Sequence, residues 1–393
     1  MRLNRETLYL SLWVLTPLVS DLGSKTPFPN QIYVLYELLE VFLCALFFRN
    51  FMTVVRVQVK WLCVLLLYAV TFIAVSYYGV DFATSVEYGV FYLPMIVTLE
   101  FFVAFSVGYL FEEQITFRFL VGAAFVQMAY TFLGIQLWPY AQRYITGLSL
   151  PMAIPLFIYS GRGLWALVCL MVLFLSLKKT IVAVGILSIG LAYLLKGYAQ
   201  PGVSFFSRYI KRRRFITAML TVPVILLTIG VIFVRYAPQL SGTLARFSEP
   251  EDTARSSIAL YSILLLAEHF PRGIGWFGFL SQSIGVISYD ATDARGDVHL
   301  GANLHSTYMT WALEGGLPIV LIMVYLFWKL IRVTWFFLRN DPTRVLGVTL
   351  LIWLLVGMVY GTFNQWHSSG TLWALFGFAF GCSERYKARQ HLA

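Results

Sequence analysis

The sequence predicts an all-α polytopic membrane protein of about 12 transmembrane helices with one long extracytoplasmic loop. Three observations carry that expectation. Apolar residues fall in solid runs of about twenty, enough to cross a hydrocarbon core ~30 Å thick. Charged residues make up 12% of the chain, against roughly 25% in soluble domains. Lys and Arg gather in alternate connections, as the positive-inside bias requires. A membrane β-barrel would instead alternate apolar and polar residues.

The first run, roughly 6–20, follows Arg2 and Arg5 and has the outline of a signal peptide. It reads as an uncleaved first helix, because the charge alternation closes only if it is kept. Runs at roughly 31–49, 60–79, 86–110 and 115–137 follow. The run at 147–160 is interrupted by Pro151 and Pro155 and ends in the tight turn Gly161-Arg162-Gly163. Runs at 163–177 and 180–196 are parted by Lys178 and Lys179, nearly the only break in about 33 apolar residues. The run at 215–235 follows Lys211-Arg212-Arg213-Arg214. Alone, that cluster resembles a nucleic-acid patch; between two apolar spans it reads as a topology anchor beside anionic headgroups, and no nucleic acid is expected as a partner. The last runs are 316–337, 345–365 and 369–383. Cys44, Cys63, Cys169 and Cys382 lie in or beside apolar runs and read as free thiols.

With both termini in the cytoplasm, about 20 of the 29 basic residues fall inside and about 9 outside. The net charge of +10 has its source in those inner loops. Three regions result: N-terminal transmembrane helices at 1–235, an extracytoplasmic loop at 236–315, and C-terminal helices with a cytoplasmic tail at 316–393.

The loop carries local order. Residues 255–270 pattern as an amphipathic helix through Ile258, Tyr261, Ile263, Leu265 and Leu266, with Asp252 or Thr253 as its N-cap. Pro271, Gly273 and Gly275 end it. After a polar stretch at 289–301, Asn303 is expected to cap a short helix bearing His305 near its second position. Glu314-Gly315-Gly316 ends that helix and Pro318 opens the next span.

Several residues carry possible chemistry. A helix N-terminus disfavours imidazolium, so His305 is biased to the neutral form that a general base needs; position alone supports a structural interfacial histidine equally. Arg246 and Arg255 flank Glu249-Pro250-Glu251-Asp252. Their guanidinium forks suit phosphate, and local pairing with those acids is the plainer reading. Arg255 is the stronger candidate, since an anion would be at home in the first turn of its helix. Lys178 and Lys179 either snorkel from a tight hairpin or, set against the positive-inside bias, face a site under the loop. Glu100 lies within a span, where an acid is a functional candidate; it either pairs with a basic residue or lines a cavity. Asp290, Asp293, Asp297 and His299 match no metal-ligand spacing, and no nucleotide-binding motif stands in a suitable context. No metal and no cofactor are expected.

Taken in order, these pieces resemble the O-antigen ligase and polymerase superfamily of bacterial envelope glycosyltransferases, over roughly 175–326. The resemblance rests on Lys178-Lys179-Thr180 opening an apolar helix and Arg255 opening a loop helix. It continues through Pro271-Arg272-Gly273-Ile274-Gly275-Trp276-Phe277-Gly278-Phe279, then Leu304-His305-Ser306, then Glu314-Gly315-Gly316 before a span. It implies a multi-pass inner-membrane enzyme with a periplasmic site. Members take a glycan from an undecaprenyl diphosphate carrier; ligases pass it to a sugar hydroxyl of the lipid A core, and polymerases pass it to another repeat unit. His305 would then activate the acceptor hydroxyl, with Arg255 and a basic residue at 178 or 179 holding the donor diphosphate. Arg246 joins that donor set, and Glu314 and Glu100 are supporting candidates. The chemistry so implied is metal-independent. Lysine stands at 178 where ligases carry arginine, which keeps the charge and loses the fork; serine follows His305 where asparagine is common. A secondary transporter or lipid flippase is the rival class, although the polar residues of interest gather at the outer surface and not at mid-membrane.

Overall fold

A computed structural model describes residues 38, 48–87, 89–137, 148–175, 179–199, 252–283, 291–292, 298–299, 304, 306–340, 343–364 and 370–392. The regular secondary structure among the described residues is helical apart from one antiparallel pair of two-residue strands, Ala291–Thr292 and Val298–His299. The helices are α1 (Phe48–Tyr77), α2 (Phe82–Glu87), α3 (Leu93–Leu110), α4 (Glu113–Leu137), α5 (Ser149–Tyr159), α6 (Gly163–Leu175) and α7 (Lys179–Lys196). The loop region supplies α8 (Asp252–His269), α9 (Gly278–Ser283) and α10 (Thr307–Met309), and the chain closes with α11 (Gly316–Arg339), α12 (Arg344–Phe363) and α13 (Gly370–Leu392).

Among the described residues, five helical stretches are long and apolar enough to cross a membrane: Val54–Tyr77, Ile115–Leu133, Lys179–Lys196, Gly316–Arg339 and Arg344–Phe363. The chain is thus a helical membrane protein. The expected spans at 6–20 and 215–235, and most of that at 31–49, lie outside the described residues. One expectation is corrected within them. The run at 86–110 is not one helix: α2 ends at Glu87, Gly89 turns at φ 78°, and a 3-10 turn precedes α3. The runs at 147–160 and 163–177 are present as α5 and α6; α5 and the described part of α6 are each shorter than the ~20 residues of a full crossing. The turn at 160–162 folds them against each other, so their apolar side chains cover protein as well as lipid.

Close helix contact depends on small residues, because lipid supplies no hydrophobic force between helices. Gly377 and Gly381 of α13 lie on the backbone of α3, where a Cβ would strike the carbonyls of Phe101 and Phe105. Gly108 of α3 returns the contact at Phe378. The register, 377 with 101 and 381 with 105, makes the two helices parallel. Around this pair, rings fill the interior: Trp61 stacks on Phe380 at 4.1 Å, Tyr68 meets Trp373 edge-on at 4.9 Å, and Phe327 meets Phe376 at 5.3 Å. Leu66, Leu67 and Val70 of α1 and Leu321 and Val324 of α11 stay exposed, as a lipid-facing surface requires.

Candidate functional site

Three segments distant in sequence meet at one end of α1 and α11. They are the turn at 76–85, the stretch at 271–279 and the junction at 313–317. Backbone bonds join the last two: Ile274 N donates to Leu313 O at 2.9 Å, Gly275 N to Glu314 O at 3.0 Å, and Leu317 N to Pro271 O at 2.9 Å. The first segment clasps the second from the other side. Val80 N donates to Ile274 O at 3.1 Å, Trp276 N donates to Ser76 Oγ at 2.8 Å, and Ser85 Oγ donates to Trp276 O at 2.7 Å. Gly273 and Gly275 stand in this stretch because they take φ 84° and 95°, and a Cβ would lie 2.8 Å from Glu314 O at the first and 2.9 Å from Ser76 Cα at the second.

Gly316 shows the constraint most directly. Its φ is 67°, and a Cβ there would lie 2.6 Å from the carbonyl oxygens of both Pro271 and Arg272. Only glycine combines a left-handed backbone with that approach. The two quoted motifs, Pro271 to Phe279 and Glu314-Gly315-Gly316, are thus one structural unit.

Glu314 sits inside this unit, 5% exposed. Its Oε1 accepts from Phe279 N at 3.4 Å, and the Phe277 backbone N–H donates to the same carboxyl. Phe277 takes φ 57°, a left-handed conformation that costs an ordinary side chain roughly 1–2 kcal/mol. Burial pushes the Glu314 carboxyl up to about 8, and the two N–H donors only partly oppose that. The group is therefore mostly protonated at neutral pH.

The short helix before Glu314 differs from expectation. Its first residue is Thr307, and Ser306 is the N-cap, with Oγ accepting from Met309 N at 3.5 Å. The cap had been expected at Asn303, with His305 inside the helix. Serine caps as well as asparagine, and Ser306 is the residue whose hydroxyl reaches the free N–H three positions on. A π-helical turn follows over Thr310–Glu314, closed by Gly315 N donating to Thr310 O at 3.2 Å. Such turns concentrate at functional sites. The segment is docked on the end of α12: Thr307 N and Oγ1 both donate to Asn364 O, at 3.2 and 2.8 Å, and Tyr308 OH donates to Met358 O at 2.9 Å.

Lys179 is the half-buried first residue of α7. α7 and α12 pack together and run antiparallel, since Arg344 at the start of α12 stacks 5.4 Å over Tyr198 just past the end of α7. Ser188 and Trp353 mark their shared middle, donating to Pro151 O and Met152 O of α5. From there Lys179 and Asn364 lie about 14 and 17 Å along in the same direction, at ~1.5 Å per residue. Lys179 therefore stands at the same end of the bundle as Thr307. Glu100 does not join the unit; it is half-buried in α3, about 10 Å along that helix from its start. Arg255 falls in the first turn of α8, which begins at Asp252, and its side chain lies outside the described part of the structure. His305, Lys178 and Arg246 also lie outside the described residues.

The sequence reading missed the turn at 76–85. Its signal was local: Asp81 and Thr84 have the spacing of a helix cap. Thr84 N donates to Asp81 Oδ1 at 3.1 Å, and the Thr84 hydroxyl, with that N–H, holds the Asp81 carboxyl below the usual range. That Ser85, the next residue, seats Trp276 across 191 residues was not visible in any single segment. Compared with known families and curated proteins, the chain matches no family model and no curated sequence.

Proposed function

We propose that this protein is an O-antigen ligase, a metal-independent glycosyltransferase of the bacterial inner membrane with its site on the periplasmic side. The donor is a glycan on undecaprenyl diphosphate, and the acceptor is a sugar hydroxyl of the lipid A core. The observation that carries the reading is the joining of the 271–279 and 313–317 motifs into one unit at one end of the bundle. The residue order that suggested the superfamily thus has a physical counterpart in those two motifs. Lys179 at the same end adds a cation where a diphosphate would need one.

In this reading His305 takes the proton of the acceptor hydroxyl, whose oxygen attacks the anomeric carbon of the donor sugar. The bond from that carbon to the diphosphate oxygen breaks, and undecaprenyl diphosphate leaves with the bonding pair. Arg255, Arg246 and Lys178 or Lys179 offset the charge that grows on it. Glu314 supports the floor of the site; mostly neutral, it adds little negative charge beside the leaving group.

An O-antigen or capsule polymerase uses the same donor and differs in acceptor; a transporter or flippase transfers no glycan. The lipopolysaccharide banding pattern of cells lacking the protein separates the three. A ligase leaves no long O-chains on the core while polymer accumulates on the lipid carrier. A core bearing one repeat unit means polymerase, and an unchanged pattern removes both. Complementation with His305→Ala should restore transfer by less than about one part in 10², with the protein still in the membrane. Full restoration would remove His305 from the mechanism.

A further inference from the structure

We propose that the cleft between α1, α11 and α13, at the far end of the bundle from Glu314, binds the phosphate of an anionic phospholipid. The proposal is independent of the ligase reading. Ser76, which holds Trp276, and Lys60, which lines the cleft, are both on α1 and about 24 Å apart at ~1.5 Å per residue. Lys329 and Arg332 stand about 20–24 Å along α11 from Gly316. The cleft and the loop unit thus face opposite sides of a membrane.

The cleft holds about 340 Å³, at the small end of ligand sites, which run ~300–1,000 Å³. That volume suits a headgroup and not a whole lipid. Four cations line it, Lys60, Lys329, Arg332 and Lys387, against one carboxylate, Glu384. Glu384 is shared between Lys60 at 2.8 Å and Lys387 at 3.1 Å. Burial alone would raise its carboxyl, but the bonds from these two lysines hold it below the usual range. An excess of three positive charges remains. Lys329 lies 5.0 Å and Arg332 4.9 Å from the Trp328 ring; stacking on a ring orients a cation without neutralising it.

The surroundings select a lipid over a soluble anion. Trp61, Phe336 and Phe380 form the apolar wall. Leu66 on α1 and Leu321 and Val324 on α11 are exposed along the helices leading away from the cleft, a surface on which acyl chains can lie. Trp328 and Trp335 are exposed on the same helix as the cations, the arrangement of an interfacial belt. Basic clefts between helices on the cytoplasmic side recur as anionic headgroup sites, and these residues lie on the side that the charge bias makes cytoplasmic.

The test is a lipid titration of the purified full-length protein in detergent, read by native mass spectrometry. Phosphatidylglycerol is compared with phosphatidylcholine of the same chains. Phosphatidylglycerol should bind more tightly by about tenfold or more. Each cation near a surface is worth roughly fivefold, so Lys329→Gln with Arg332→Gln should weaken phosphatidylglycerol about 25-fold and phosphatidylcholine, whose choline cation offsets its phosphate, by much less. Glu384→Gln should act in the opposite direction and tighten phosphatidylglycerol, which loss of structure would not do. Equal binding of the two lipids overturns the proposal, as does a Glu384→Gln protein that binds phosphatidylglycerol more weakly. Competition by glycerol 3-phosphate at the same concentration as the lipid would overturn the lipid assignment in favour of a soluble phosphate.

Discussion

Glu314 is a carboxyl removed from water and met by two backbone N–H groups, and its proton follows from that setting. Its folded value of about 8 lies above the 4.5 of an ordinary glutamate. The folded state therefore holds the proton more tightly than the unfolded chain between those values. Stability is fully present below about pH 4.5 and falls as pH rises through about 8. Glu314→Gln keeps an acceptor for Phe277 and Phe279 and carries no charge. Thermal midpoints in detergent from pH 6 to 9 should fall for the native protein and stay flatter for Glu314→Gln. Parallel curves would show that the carboxyl does not titrate in this range. Glu314 was a supporting candidate only through the family resemblance. Its burial and its donors come from a stretch 35 residues away, and no pattern around position 314 announces them.

At the scale of elements, the glycines divide into those the fold requires and those it tolerates. Gly316→Ala must open the contact with Pro271 and Arg272 and adopt an unfavourable φ, a combination expected to cost roughly 1–3 kcal/mol or more. Gly122 lies inside α4, and a Cβ there meets nothing within 4 Å. Gly122→Ala should be neutral or stabilising by up to about 1 kcal/mol, the helix-propensity difference. Thermal unfolding of the two variants in one detergent checks the pair; similar shifts would refute the distinction. In the sequence Gly122 stands alone among apolar residues and Gly316 follows Gly315, and neither setting shows what a Cβ would meet. Helix existence was legible from apolar periodicity and length for α1, α4, α7, α11 and α12. The break before α3 was not, because an apolar run continues through a turn that buries as much as a helix does.

At the scale of the whole molecule, the loop unit and the basic cleft occupy opposite ends of α1 and α11. Arg272 is exposed at the first end and Lys387 at the second. In a background without native cysteines, Arg272→Cys should react with a membrane-impermeant thiol reagent added to spheroplasts, and Lys387→Cys only after lysis. Labelling of both from the same side would refute the opposed faces. Labelling of Lys387→Cys alone in intact spheroplasts would invert the orientation.

The sequence by itself determined the solvent of this protein. Solid apolar runs are a property of composition along the chain, and a bilayer reads them locally, one helix at a time. It also marked the two glycine-bearing motifs, because left-handed turns favour glycine. Only the tertiary structure decided that these motifs form one unit, that Ser76 and Ser85 clasp Trp276, and that Lys60, Lys329, Arg332 and Lys387 share one cleft with a single carboxylate. Those facts depend on contacts between residues up to several hundred positions apart, and such contacts are set by helix packing, which leaves no period in the sequence.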